Sequence, residues 1–322
     1  MHHCLGERLV FAPITPPEAF AHLPPYDSHG SSAKASLRML DIGCGTGTFA
    51  IELADLYPTA LIEATDLSPI QPSYGPANVN FIIDDAEQED WAVPTGYYDY
   101  IHTRFMLGSF KSYADVIKRG YTYCKEGAWM ESQEVDMQPY CSDGSMPQGW
   151  KMKEWCELLI HASKVAGRSL EVAKHMRQWY EEAGFVDITE RVFRAPIGGW
   201  EVDPRRKDLG HWWVENWKLG LQGFSLALLT RGMDWSPEEV EVFLVGVRKS
   251  FEDASVHAYH NVHVVTGRKP TKEETLRMGR AGQKHGFELG SPEPSQKRRS
   301  PMIPKRRDEH GRLQRYSDED LR

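Results

Sequence analysis

The sequence predicts an α/β fold, a mostly parallel sheet with helices on its faces and a helical insertion late in the chain. Three observations predict it. An apolar run at 37–42 leads through a glycine-rich turn into an amphipathic stretch, the mark of strand, turn and helix. Short strand-like segments then alternate with helical patterns as far as residue 133, and a long helical block separates two late strand candidates.

The elements follow in order. Residues 1–36 carry Pro13, Pro16, Pro17, Pro24 and Pro25 and the polar stretch Ser28 to Ser36, without periodicity, and read as an irregular lead-in ending in a loop. Leu37 to Ile42 is the first strand, and Thr48 to Tyr57 the first helix, with Phe49, Leu53 and Leu56 on one face. Ala60 to Asp66, Val79 to Ile83, Tyr98 to Thr103 and Ala128 to Gln133 are the next strands, with Ser112 to Cys124 as the clearest helix among them. Trp150 to Val165 and Glu171 to Ala183 are helical, the second stopped by Gly184 in a C-cap position. Phe185 to Ala195 is strand-like, Leu209 to Thr230 and Pro237 to Phe251 are helices, and Val262 to Thr266 is the last strand. If the two late strands pair, residues 197–256 form an insertion whose natural place is over the active face of a domain spanning 37–268. Residues 269–322, with Gly, Pro, Ser, Lys and Arg but hardly any aromatics, are expected to be a disordered basic tail.

Composition narrows the function classes. At 322 residues, 40% apolar and 11% aromatic, the chain has core material for one domain plus extras. It has no run of about 18 uncharged apolar residues and no basic-then-apolar leader, so a soluble, cytoplasmic protein with no membrane partner is expected. Five scattered cysteines (Cys4, Cys44, Cys124, Cys141, Cys156) without a C-x-x-C pair argue against a disulfide framework and a metal site. The net charge of −8 divides unevenly: residues 269–322 hold 14 Lys and Arg against 9 Asp and Glu, leaving −13 on the body. An acidic body is repelled by a phosphate backbone, which makes nucleic acid a poor partner for the main domain.

The chemistry concentrates in Asp41-Ile42-Gly43-Cys44-Gly45-Thr46-Gly47, between the first strand and helix. Glycines at this spacing let a loop bend sharply and bring backbone N–H groups against a ligand. A dinucleotide fingerprint, G-x-G-x-x-G, needs glycine where Thr48 stands. D-x-G-x-G-x-G is instead the pattern of class I S-adenosylmethionine (SAM) methyltransferases, so SAM is the expected cofactor, against Asp41, Gly43, Cys44, Gly45 and Gly47. Asp66, with Leu67 beside it, closes the second strand 19 residues after Gly47, where a carboxylate can accept both ribose hydroxyls. At Asp84-Asp85-Ala86, closing the third strand, either carboxylate can take the adenine amine, and a backbone N–H can reach a ring nitrogen.

Methyl transfer is an in-line displacement at a sulfonium carbon, so alignment and exclusion of water supply most of the catalysis. A phenol or enol acceptor also benefits from a base. His102, at the end of the fourth strand, is the candidate, with a hydrogen-bonded structural histidine as the alternative. Arg104 either orients an acidic substrate or pairs with a body carboxylate. Thr103-Arg-Phe-Met106 stands where many nucleic-acid adenine methyltransferases carry [DN]-P-P-[YF]. Trp200, His211, Trp212, Trp213 and Trp217 either line a pocket for a flat acceptor or anchor the core, and His257 and Tyr259 share that ambiguity.

Leu40 to Ala50, Asp66 to Pro72, Asp84 to Trp91, Tyr98 to Arg104 with Gly108-Ser109, and Gly127 to Glu134 resemble the fungal LaeA-type methyltransferases, enzymes and regulators of secondary metabolism. So do Glu182 to Glu190, Ala195 to Gly198, Ser236 to Val240 and His257 to Pro270, and the likeness covers about residues 37–270. It implies a class I SAM methyltransferase (Rossmann-like) sheet of seven strands, with the last two an antiparallel pair around a helical lid. It also implies SAM-dependent transfer to a small-molecule secondary-metabolite acceptor, or nuclear regulation of secondary metabolism through protein partners. Family members carry a longer N-terminal region with a helix that helps cover the cofactor. Here only Gly6 to Ile14 resembles its end, and about twenty residues of loop precede the first strand. Lys297-Arg-Arg299 and Lys305-Arg-Arg307 read as a solvated tail or as a nuclear import signal, which would place the protein in the nucleus.

Overall fold

Alternation along Arg38–Ile42 (β1) buries Met39 and Asp41 toward one face of a sheet and Leu40 and Ile42 toward the other, and the glycines that follow turn the chain into helix Thr48–Leu56 (α1). The computed structural model describes residues 8–20, 23, 26 and 36–283. Most of Ser28 to Ser36 and both basic clusters, 297–299 and 305–307, lie outside the described residues. The chain divides into two units, residues 1–276 and 277–322, and every strand of the sheet belongs to the first.

The strands are β1, Leu61–Asp66 (β2), Val79–Ile83 (β3), Tyr98–Arg104 (β4), Cys124–Val135 (β5), Tyr140–Cys141 (β6), Val186–Pro196 (β7) and Ala258–Arg268 (β8). Their order is β3-β2-β1-β4-β5-β8, with β7 on the other side of β8 and β6 pairing the first residues of β8. The first five strands are parallel, and β8 runs antiparallel to β5 and β7. This is the class I methyltransferase sheet with its antiparallel last pair. The eighth strand, absent from the expectation, is a two-residue stretch too short for a periodic signal.

The sheet is covered on both sides. Phe49 and Leu53 of α1 pack on Met39, Ile62 and Tyr100. The opposite face buries Leu40, Ile101 and Met130 against helices Tyr113–Tyr123 (α2) and Met176–Ala183 (α4), continuous with Lys151–Val165 (α3). Ser112 caps α2 by accepting the Asp115 N–H, and Gly184 ends α4 at φ 97°. Of the helix expected over 171–183, only α4 and a 3-10 turn at Ala173–His175 form.

The insertion consists of Pro204–Gly232 (α5) and Pro237–Ser250 (α6). Helix α5 starts five residues before Leu209, because Asp203 caps it and Pro204 suits its first turn. Ser236 and Glu239 form a reciprocal capping box at α6. The insertion leaves β7 at Pro196 and returns at Ala258, both on the edge where β1 and β4 end, and Trp213 of α5 packs on Phe105, just past β4, at 6.0 Å between centroids.

Two expectations need correction at the flanks. The lead-in is irregular but docked: Phe11 and Ala12 are buried, and their N–H groups donate to Glu131 Oε2 at 2.8 and 2.7 Å. The segment after Lys269 is not structureless from its start, since Lys272–Gln283 (α7) is helical. Thr271 and Glu274 cap it reciprocally, and Arg268 forks onto the Glu274 carboxylate at 2.8 and 2.9 Å.

Candidate functional site

The glycine loop stands at the carboxyl edge of the sheet, where open α/β sheets place their ligands. Gly43, Gly45 and Gly47 have φ of 70°, 55° and 81°, the left-handed region in which a side chain is strained. The N–H groups of Gly43 and Cys44 both donate to Thr65 O, at 2.8 and 2.9 Å, which ties the loop to β2. A Cβ on Gly43 would overlap the Met106 thioether, and one on Gly47 would overlap the Phe81 ring. A Cβ on Gly45 would meet nothing within 4 Å, so this glycine borders open space. The loop is a cradle with an open rim at Gly45, which fits a ligand that needs close backbone approach.

Asp66 is fixed beside that rim. Its Oδ2 accepts the Gly45 N–H and its Oδ1 accepts the Ser68 N–H, each at 2.9 Å. Each oxygen keeps a further lone pair for a ligand hydroxyl. Gln71, unnoticed in the sequence, donates through Nε2 to Gly45 O and Ser68 O at 2.7 and 2.8 Å, locking the loop to the turn after β2. Leu67 is exposed beside them. The Asp84 N–H donates to Asp66 O at 3.1 Å, so the third strand's acidic end is held against the second's. Asp84 Oδ1 accepts the Asp85 N–H and Asp85 Oδ1 accepts the Glu87 N–H, both at 2.9 Å, while Ala86 O accepts the Trp91 indole N–H. Asp84, Asp85 and Ala86 thus end β3 as a rigid turn on the same edge as the glycine loop.

Two expected site residues lie beneath this edge. Asp41 and His102 are neighbours across β1 and β4, with Asp41 Oδ1 and His102 Nδ1 at 2.9 Å, and both are essentially inaccessible. The His102 ring stacks under Phe49 of α1 at 3.8 Å. Strand alternation points both side chains at α1 rather than at the open edge. His102 is thus a buried histidine hydrogen-bonded to Asp41, and Asp41 lies below the glycine loop. Arg104 lies on the same face, half-buried, with its guanidinium 4.9 Å from the Phe49 centroid. The body carboxylates nearest its charge are Asp41 and Glu52. Burial pushes its pKa down, while Asp41 and Glu52 oppose that shift. The Cys44 thiol is pushed up to about 12 by burial, then by Asp41 and Asp66, so it is no nucleophile.

Two buried carboxylates carry no motif that singles them out. Glu131 holds the lead-in and accepts Gln133 Nε2 at 2.6 Å. Glu134 accepts the N–H groups of Met106 and Leu107 at 2.7 and 3.2 Å and the Tyr113 hydroxyl at 2.9 Å, and so fixes the loop that lays Met106 over Gly43. Acidic residues inside a run that otherwise reads as a core strand are the signal that marks them.

The aromatic residues of the insertion do not form one pocket. Trp213 and Trp217 are buried and pack edge to face, and Trp217 also packs on Trp155. Trp212 is exposed, and Trp200 turns away to stack on His257.

A family model described as a methyltransferase domain matches residues 17–190. Methyltransferase pytC of Aspergillus terreus is 40% identical over 275 residues, covering 84% of this chain and 79% of its own length. Secondary metabolism regulator LAE1 of Cochliobolus heterostrophus is 36% identical over 235 residues, covering 72% of this chain and 76% of its own. Protein-methionine methyltransferase laeA of Emericella nidulans is 30% identical over 240 residues, covering 73% and 63%.

Proposed function

Because the chain belongs to the SAM-dependent methyltransferases of the LaeA type, we propose that it methylates a small secondary-metabolite acceptor, with SAM held along the edge from Gly43 to Ala86. The observation that carries this reading is the Asp66 carboxylate, oriented by the Gly45 N–H at the one loop glycine that borders open space. When bound, SAM supplies an activated methyl group. The loop backbone from Gly43 to Gly45 would lie along it, with open space at Gly45, Asp66 would take the ribose hydroxyls, and Asp84 or Asp85 with Ala86 would take the adenine. The insertion at the carboxyl edge, through Trp213 against Phe105, would keep water from the transfer. No base touches the acceptor in this scheme. The likeness to methyltransferase pytC over most of the chain supports a small-molecule acceptor.

Isothermal titration with SAM tests the cofactor site. Asp66→Ala is expected to weaken binding about tenfold or more, since it removes a charged acceptor of two hydrogen bonds. Gly45→Arg is expected to abolish binding by filling the rim. Unchanged affinity in both variants would overturn the reading.

A second reading, a regulator that methylates protein and works through protein partners, is favoured by one observation: the Met106 thioether lies against Gly43, so a protein sulfur already stands at the cradle. The name of the Emericella relative points the same way. In that reading the basic clusters at 297–299 and 305–307 serve as a nuclear import signal, whereas the small-molecule reading is at home in the cytoplasm. Peptide mass spectrometry after incubation with SAM separates the two, because a methylated Met106 appears only in the second.

A further inference from the structure

Trp200, His257 and Tyr259 meet around a cavity of about 170 Å³ near the amino end of β8, together with Arg194 of β7. The walls are rigid. His257 Nδ1 and Asp143 Oδ2 are 2.5 Å apart, and the His257 N–H donates to Ser145 Oγ at 2.8 Å. The Trp200 indole lies 5.0 Å from the His257 ring at 25° and donates through Nε1 to Ala258 O at 2.8 Å. Tyr259 shares a hydrogen bond with Ser142 Oγ at 3.1 Å. Four separate chain segments therefore converge on one space, with the Trp200–His257 stack on one side.

The formal charges of its lining cancel, Arg194 and Arg206 against Asp143 and Glu201, but they are not evenly paired. Arg206 is paired with Glu201 at 2.6 Å, and His257 with Asp143. Arg194 lies over the Tyr259 ring at 4.7 Å and has no ion pair among the described residues. A cavity of about 150 Å³ suffices for a benzene ring, so the space takes one ring, with an unspent guanidinium at its side.

This cavity lies on the same carboxyl edge of the sheet as the glycine loop, but three strands across from β1. Val264 of β8 is in register with Gln133, and Gln133 with Arg104 at the end of β4. Tyr259 lies five residues farther along β8, about 16 Å at the usual rise of a strand. A ring held there is out of reach of a methyl group on the glycine loop.

We propose that this cavity is a second ligand site, specific for a single aromatic ring bearing a carboxylate, with the ring against the Trp200–His257 stack and the carboxylate on Arg194, since Tyr259 already stacks on Tyr140 and carries Arg194. Stacking against fixed aromatics selects planarity, and a guanidinium without a protein carboxylate selects the anion. The site is independent of which acceptor is methylated.

The test uses full-length protein and benzoate as the probe, read by titration calorimetry or by ligand-observed magnetic resonance. Benzoate is expected to bind the unaltered protein, and benzyl alcohol, which keeps the ring and lacks the charge, about tenfold more weakly. Arg194→Gln is expected to weaken benzoate about tenfold and to leave benzyl alcohol unchanged. Arg205→Gln, which removes an exposed cation outside the cavity, is expected to change neither. SAM affinity and the melting temperature of Arg194→Gln should match the unaltered protein, since the Arg194 side chain is exposed and, among the described residues, meets only a ring face. The proposal is overturned if benzoate fails to bind at millimolar concentration, if it binds Arg194→Gln as well as the parent, or if Arg205→Gln loses as much as Arg194→Gln.

Discussion

Glu134 is fully enclosed, and burial pushes its pKa up to about 7 against the three hydrogen bonds that favour its charged form. A carboxyl raised from 4.5 binds more protons in the folded than in the unfolded chain across the window from about 4.5 to about 7. Its contribution to stability is therefore greatest at the acid end and is lost as pH rises through that window, on the order of 3 kcal/mol in all. His260 slopes the other way. Burial pushes it down to about 4, and its Nδ1 accepts the Trp213 indole N–H, so it is held neutral and its stability contribution is lost as pH falls below about 6.5. The two slopes oppose one another between about pH 4.5 and 6.5. Glu134→Gln removes one of them, and its melting temperature should rise more steeply with pH over that range than that of the parent. Parallel melting profiles would exclude the assignment. Residues of this kind also mark how much the sequence discloses. Asp66 is legible because it ends a strand at a fixed distance from the glycines. The roles of Asp41 and His102 are not, because position at a strand end does not say which face a side chain takes, and both turn to α1. Glu131 and Glu134 are hidden for a related reason: their partners are backbone N–H groups from distant segments, and sequence spacing does not reveal those.

Among the strands and helices, pattern and caps locate most of the fold. β3 matches its expected span throughout, and α2, α3, α6 and β1 differ from theirs by a residue or two. The misses are where a cap or pairing partner overrides periodicity, as at Asp203 before α5 and at Thr271 before α7. The lead-in is the larger surprise. Proline-rich and without period, it nevertheless inserts Phe11 against Phe193 at 5.4 Å, with Arg8 and Arg191 over the ring. Phe11→Ala should cost about 3–5 kcal/mol in urea unfolding, the range for losing a buried aromatic. A loss under about 0.5 kcal/mol, typical of surface substitutions, would show that the segment is not docked in solution.

Over the full chain, charge separates what sequence position also separates: −13 on residues 1–268 and +5 beyond. The regulatory reading is tested by this division. Replacing Lys297, Arg298, Arg299, Lys305, Arg306 and Arg307 with alanine should abolish nuclear accumulation of a fluorescent full-length fusion and leave SAM affinity untouched; unaltered nuclear accumulation would remove the clusters from the import role. The order of the strands also bears on how the chain is made. β8 lies between β5 and β7 and is the last strand among the described residues. During synthesis, β5 and β7 are thus both complete while their facing rows of N–H and C=O groups await a strand not yet made, a state prone to pair with other chains. The gap between them closes only after the whole insertion has emerged. A chain cut before Ala258 is therefore not a smaller version of this protein but one with two sticky edges, and its fate is aggregation or degradation rather than residual activity.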